Sequence, residues 1–186
     1  MSGYRVVLHD APGAREWLLA AGYDGDLRET EDAGRGEESD GAAGWITIGQ
    51  SGARALEEQR LAWQPQTFKQ ILARALALGA ATGCQAGMMR VIAEGEARLA
   101  TLRTQLGIDR KAGPEHLAVC DVLLDDGREP PPWTPDLLDR AAGRPPRREI
   151  QEKAHIVRLG PDILVPGPHL YHAVLRIARE LYPNRI

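Results

Sequence analysis

His169 and His172 stand three residues apart, a spacing that puts both imidazoles on one face of a helix. Two imidazoles so placed can begin a divalent-metal site, but such a site needs three or four converging ligands. His155 and Asp162 are the residues nearest in the chain that could complete it. With only this spacing behind it, the plain reading is polar surface histidine, and no metal or other cofactor is expected. A small metal-dependent enzyme built on His155, His169 and His172 is carried as the alternative reading.

Other chemistries find less support. Cys84 and Cys120 lie in apolar stretches and form no Cys-x-x-Cys pair. A reactive cysteine needs a nearby base or positive charge, whereas Cys120 is followed by Asp121, which would hold its thiol protonated. Ser51, in Gly-Gln-Ser-Gly, falls short of the nucleophile-elbow phrase and reads better as a helix cap. No convergent catalytic set emerges, and the expectation leans away from an enzyme.

Arg144, Arg147 and Arg148 form the densest basic spot and could touch phosphate. No aromatic residues interleave with them, there is no helix-turn-helix phrase, and the protein as a whole is not basic. Arginine outnumbers lysine twenty to three. With a single asparagine and abundant Ala, Gly and Pro, this excess follows GC-rich coding and indicates a bacterium or its phage rather than a nucleic-acid partner. A regulator binding nucleic acid through this spot is the further alternative.

Gly79, Gly83 and Gly87 recur every four residues inside an otherwise helical stretch. Each costs a helix about 1 kcal/mol relative to alanine, so another backbone must come close or the helix must break there. Thr82-Gly83 to Gly87 gives part of a nucleotide-binding glycine phrase, but Met89 stands where its last glycine belongs. The segment before it is amphipathic helix, where a dinucleotide fold needs a buried strand. A small-residue ridge for close packing, or a fold-back between two helices, is the better reading.

These residues must be positioned by a chain of 186 residues, 43% hydrophobic, with a formal charge of −3. That is enough for one packed domain. The charge is uneven: eight acids and two arginines between Asp24 and Asp40 make a local −6. Residues 23–44 therefore read as an acidic, glycine-rich surface segment. Asp24 and Asp26 look faintly like a calcium loop, but the EF-hand spacing is absent. The longest uncharged run, Ala75 to Met89, is too short to span a bilayer, so no membrane role is expected. The absence of a secretory signal makes the cytoplasm the expected compartment, or the virion if the chain is phage-encoded.

The elements follow from periodicity and punctuation. Tyr4–His9 and Trp45–Gly49 read as strands, and Asp10 with Pro12 opens a helix over Gly13–Ala21 around Trp17 and Leu18. Ser51 to Gln64 reads as a helix stopped by Pro65. From the Thr67 cap, Phe68, Ile71, Leu72, Ala75 and Leu76 trace an amphipathic helix. Met88, Ile92, Gly95, Leu99, Leu102 and Leu106 then step alternately by four and three, a heptad-like seam. His116–Leu124 is buried as strand or short helix. Residues 127–134 and 143–149 are proline-rich connectors, the first carrying Trp133 and presenting it to a partner. Thr134 caps a helix to Ala142, Ala154–Leu159 and Ile163–Val165 form a hairpin, and a final helix carries Leu170, Val174, Ile177 and Leu181.

The expected fold is a single α+β domain over residues 1–186. It is helix-rich, with a small sheet of about four strands and a central helical hairpin or long kinked helix. The expected function is that of a structural or adaptor protein acting through protein–protein contacts and self-assembly, such as a phage virion or tail-assembly component. Gly79, Gly83, Gly87, Met88, Ile92, Leu99, Leu102, Leu106 and Trp133 are the residues expected at its interface. The partner is another protein or a second copy of the chain.

Overall fold

A computed structural model describes residues 5–30, 45–49, 59–105, 120–124, 127–142 and 155–181. Strand β1 (Arg5–His9) leads through helix α1 (Ala14–Ala20) to β2 (Leu27–Thr30), and β3 (Trp45–Gly49) and β4 (Gln59–Ala62) follow. Helices α2 (Phe68–Ala81) and α3 (Gln85–Gln105) come next. The chain then gives β5 (Cys120–Leu124), α4 (Thr134–Ala142), β6 (His155–Leu159), a 3-10 turn (Pro161–Leu164) and α5 (Leu170–Leu181).

The domain is helix-rich around a small sheet, as the sequence implies, but the strands are arranged differently. Four strands form one sheet in the order β2-β1-β3-β4, and β5 pairs with β6 in a second. Every one of these pairings is parallel. Parallel neighbours need crossover connections rather than tight turns, and among the described residues α1 lies between β1 and β2 and α4 between β5 and β6. The expected hairpin at 154–165 is accordingly corrected. Its first arm is β6, paired with β5, while Pro161–Leu164 coils into a 3-10 turn begun by Pro161.

Two further strands lie where the sequence suggested otherwise. β2 falls within the acidic segment, and β4 occupies the end of the stretch read as a helix from Ser51 to Gln64. Short edge strands draw their stability from pairing with β1 and β3, which local periodicity does not register. Ser51 lies outside the described residues.

The glycine ladder resolves into a helical hairpin. Thr82 closes α2, its hydroxyl donating to the Leu78 carbonyl at 2.8 Å. Gly83 takes the left-handed conformation (φ 76°) that reverses the chain, and the Cys84 carbonyl accepts the early α3 bond from Met88 N–H at 2.9 Å. Gly79 and Gly87 allow close approach. A β-carbon on Gly79 would sit 2.9 Å from the Met88 β-carbon, and one on Gly87 would overlap the Ala21 carbonyl at the end of α1. The ladder is thus a turn flanked by two contacts.

The core is aliphatic with aromatic anchors. Val6, Leu8, Ile46 and Ile48 from the larger sheet meet Trp17, Leu18, Phe68, Ile71 and Leu78 from α1 and α2. Leu137, Ala141, Leu159, Val174 and Ile177 continue the same cluster into the second half of the chain. The heptad-like seam is spent within the fold: Met88, Gly95, Leu99 and Leu102 are buried along α3, and Ile92 is half-buried against the core. Leu106 lies outside the described residues. None of the helices among the described residues is long and apolar enough to cross a membrane.

Candidate functional site

In an open parallel sheet, ligands bind beyond the carboxyl ends of the strands, where successive connections run in opposite directions. Here that point lies between β1 and β3. The chain leaves β1 through α1 to β2 on one side, while β3 pairs on the other side and hands on to β4. His9 ends β1, paired with Gly49 of β3 and Thr30 of β2.

Residues 10–13 make the loop at this point. Asp10 is exposed and holds a positive φ of 44°, a conformation that aspartate accepts more readily than most residues. Ala11 and Gly13 are buried, and Ala14 N–H closes a turn onto the Ala11 carbonyl at 3.1 Å. The helix start differs from expectation: Gly13, not Asp10, stands at the cap, left-handed at φ 83° and with no side-chain bond. The Asp10 carboxylate is therefore not spent on capping α1.

Three tryptophans fasten the surroundings through their indole N–H groups. Trp63, just after β4, donates to the Pro12 carbonyl at 2.7 Å. Trp17 donates to the Pro166 carbonyl at 2.9 Å. Trp133 donates to the Ile163 carbonyl at 3.0 Å. Buried indoles are placed where such an acceptor exists. Gly13 itself lies against residues 166 and 167, and a β-carbon there would stand 2.7 Å from the Pro166 carbonyl carbon and oxygen. Segments that follow the carboxyl ends of β1, β4 and β6 thus meet around the 10–13 loop.

Trp133 corrects an expectation directly. The proline connector does not present it to a partner; it is buried against the 3-10 turn, with 7% of its surface accessible. Thr134 does not cap α4 either. It is the first helical residue, the Trp133 carbonyl accepts from Leu137 N–H, and the Thr134 hydroxyl is buried with no partner among the described residues.

The described side chains of His169 and His172 take different partners. His169 Nε2 lies 2.6 Å from the Asp162 backbone carbonyl, the Asp162 carboxylate pairs with Arg176 at 3.3 Å, and His172 Nε2 faces Arg98 at 3.3 Å. His155 lies in β6, and its side chain is outside the described residues. Among the described residues no three His, Cys, Asp or Glu side chains form a group that could hold a metal ion. Arg144, Arg147 and Arg148 also lie outside the described residues.

No protein-family model matches the chain, and no curated protein matches it. Among solved structures, the chain resembles that of a periplasmic binding protein from Veillonella parvula DSM 2008. The two superpose with a TM-score of 0.62 at 11% identity, over 100% of this chain and 94% of the other. At that identity the likeness concerns the fold alone, over nearly the whole of both chains.

Sequence reasoning used Asp10 as a helix start and passed over the loop. The signal available was the order strand, short loop with Pro and Gly, helix, at residues 5–20. It becomes a candidate site only once the sheet is known to be parallel.

Proposed function

We propose that this protein binds a small solute at the carboxyl ends of its parallel strands, with His9 and Asp10 facing the occupant. The observation that carries the reading is the strand order, which places the 10–13 loop at the reversal point between β1 and β3. The full-length likeness to a chain described as a periplasmic binding protein supports it. Under this reading the protein works outside the cytoplasm, in place of the cytoplasmic or virion setting expected from sequence; osmotic-shock fractionation of cells carrying the gene separates the two.

Thermal-shift screening against a panel of small metabolites, cofactors and metal chelates tests the binding. A true occupant raises the melting temperature in proportion to the logarithm of its concentration, and Asp10→Gly weakens that shift while keeping the left-handed backbone. If every hit binds Asp10→Gly as well as the parent, the site lies elsewhere.

A second reading retains contact with a protein partner or a second copy of the chain. It is favoured by Leu19, Leu76 and Met89, which are 55%, 38% and 55% exposed on α1, α2 and α3. Large apolar side chains left in water on three adjoining helices suit an association surface. Light scattering across a concentration series tests it; a strict monomer that captures no protein removes it.

A further inference from the structure

Phe68, Glu96, Arg140 and Tyr171 come from four different helices, α2, α3, α4 and α5, and their contacts close a ring. Glu96 Oε1 accepts a hydrogen bond from the Arg140 guanidinium at 2.6 Å and another from the Tyr171 hydroxyl at 2.9 Å. The Arg140 guanidinium carbon lies 4.5 Å from the Phe68 ring centroid. Phe68 meets Tyr171 edge to face, with centroids 5.4 Å apart and planes at 88°. Each member therefore touches two others.

Neighbouring bonds tie the same helices. Asp136 accepts the Phe68 backbone N–H at 2.8 Å, which joins the start of α2 to α4. Arg103 of α3 donates through Nε to the Arg140 carbonyl at 3.2 Å, near the end of α4. Gly95 completes the fit, since a β-carbon there would clash with the Tyr171 ring. Phe68 and Tyr171 are buried, while the Glu96 and Arg140 side chains are 43% and 28% exposed. The ring has an apolar floor and a charged rim.

We infer that Glu96 is a latch that couples the docking of α4 to the docking of α5. One carboxylate oxygen, carried by α3, holds a donor from each. When Tyr171 leaves, Arg140 loses a partner's support; when Arg140 leaves, the Tyr171 hydroxyl faces a carboxylate no longer held in place. The second half of the chain, α4, α5 and the strand β6 that α5 covers, then loosens as a unit against α2 and α3. The inference stands whatever occupies the strand ends.

Native-state hydrogen exchange tests this on the full chain. Tyr171→Phe removes one hydroxyl and nothing else. The expected result is faster exchange, about tenfold, in α4 as well as α5, with β1, β3 and α1 unchanged. Because α4 and α5 also touch directly, the deciding measurement repeats Tyr171→Phe in a Glu96→Ala background. There its effect on α4 is expected to vanish. An effect on α4 that persists without Glu96, a change confined to α5, or a uniform loss of protection through the molecule each overturns the latch. Should Glu96→Ala not fold, Arg140→Met serves on its own: it must speed exchange in α5, and unchanged α5 protection overturns the inference.

Discussion

The two halves of the chain are joined twice, by unlike means. At the strand ends the join is made of backbone. Gly13 lies against Pro166, and the Trp17 indole N–H reaches the Pro166 backbone carbonyl. At the helices the join is made of side chains, with Glu96, Arg140, Phe68 and Tyr171 closing a ring. A backbone join depends on shape and allows almost no substitution at its glycine. A side-chain join depends on polar partners, and trimming one member weakens the hold on the others. The strand-end join is therefore sensitive to shape, whereas the helical ring is sensitive to the loss of a single polar group.

The sharpest way to break that contrast is Gly13→Ala. The new β-carbon meets the Pro166 backbone at 2.7 Å, and φ is 83°. Left-handed strain and forced overpacking together cost about 3 kcal/mol, measured as a fall in the urea midpoint at constant slope. A near-neutral Gly13→Ala would show that the strand-end join yields. Next comes Trp17→Phe, which leaves the Pro166 carbonyl without its donor in a buried setting and costs about 1–3 kcal/mol by the same measurement.

In the helical ring Arg140→Met is expected to cost less, about 1 kcal/mol, because the Glu96 carboxylate it leaves behind is part-exposed and can be hydrated. Alkaline titration sharpens the point. Burial first, then the neighbouring Glu96 charge and its hydrogen bond, push the Tyr171 phenol above its usual range, and Arg140 opposes them. The folded state thus keeps the proton that the unfolded state releases near pH 10. Stability is fully present below that pH and falls as pH rises above it. Tyr171→Phe should flatten this alkaline limb in urea midpoints recorded across pH. The smallest effect belongs to neither join: Leu19→Ser, at an exposed α1 position, should change stability by no more than about 0.5 kcal/mol. If it also leaves the oligomeric state unchanged, the association reading loses Leu19.

Much of the local structure was legible. The Thr67 cap is made as read, its hydroxyl accepting Gln70 N–H at 3.1 Å, and Phe68, Ile71 and Ala75 are buried as their spacing implies, while Leu72 is half-buried and Leu76, read on the same face, is exposed. Trp17 and Leu18 are the buried contacts of α1. What misled was strand content in polar or helix-like surroundings. Leu27–Thr30 and Gln59–Ala62 carry little apolar patterning, and each is a strand because a neighbour is in register beside it. The candidate site was hidden for the same reason. His9 and Asp10 gain their interest from sheet order, which no spacing within residues 5–13 encodes.

The amino-acid sequence by itself determined a helix-rich domain, the amphipathic face of α2, and a break or close contact at Gly79, Gly83 and Gly87. These follow from near-neighbour sterics and from a 3.6-residue period, both local properties of a chain. Tertiary structure alone decided that the strands run parallel, that the α3 seam turns inward, and that Trp133 is buried. It also decided that four residues drawn from across some hundred positions close one ring. Those are outcomes of long-range pairing and burial, where the free energy lies in which distant surfaces meet and not in the preference of any one segment.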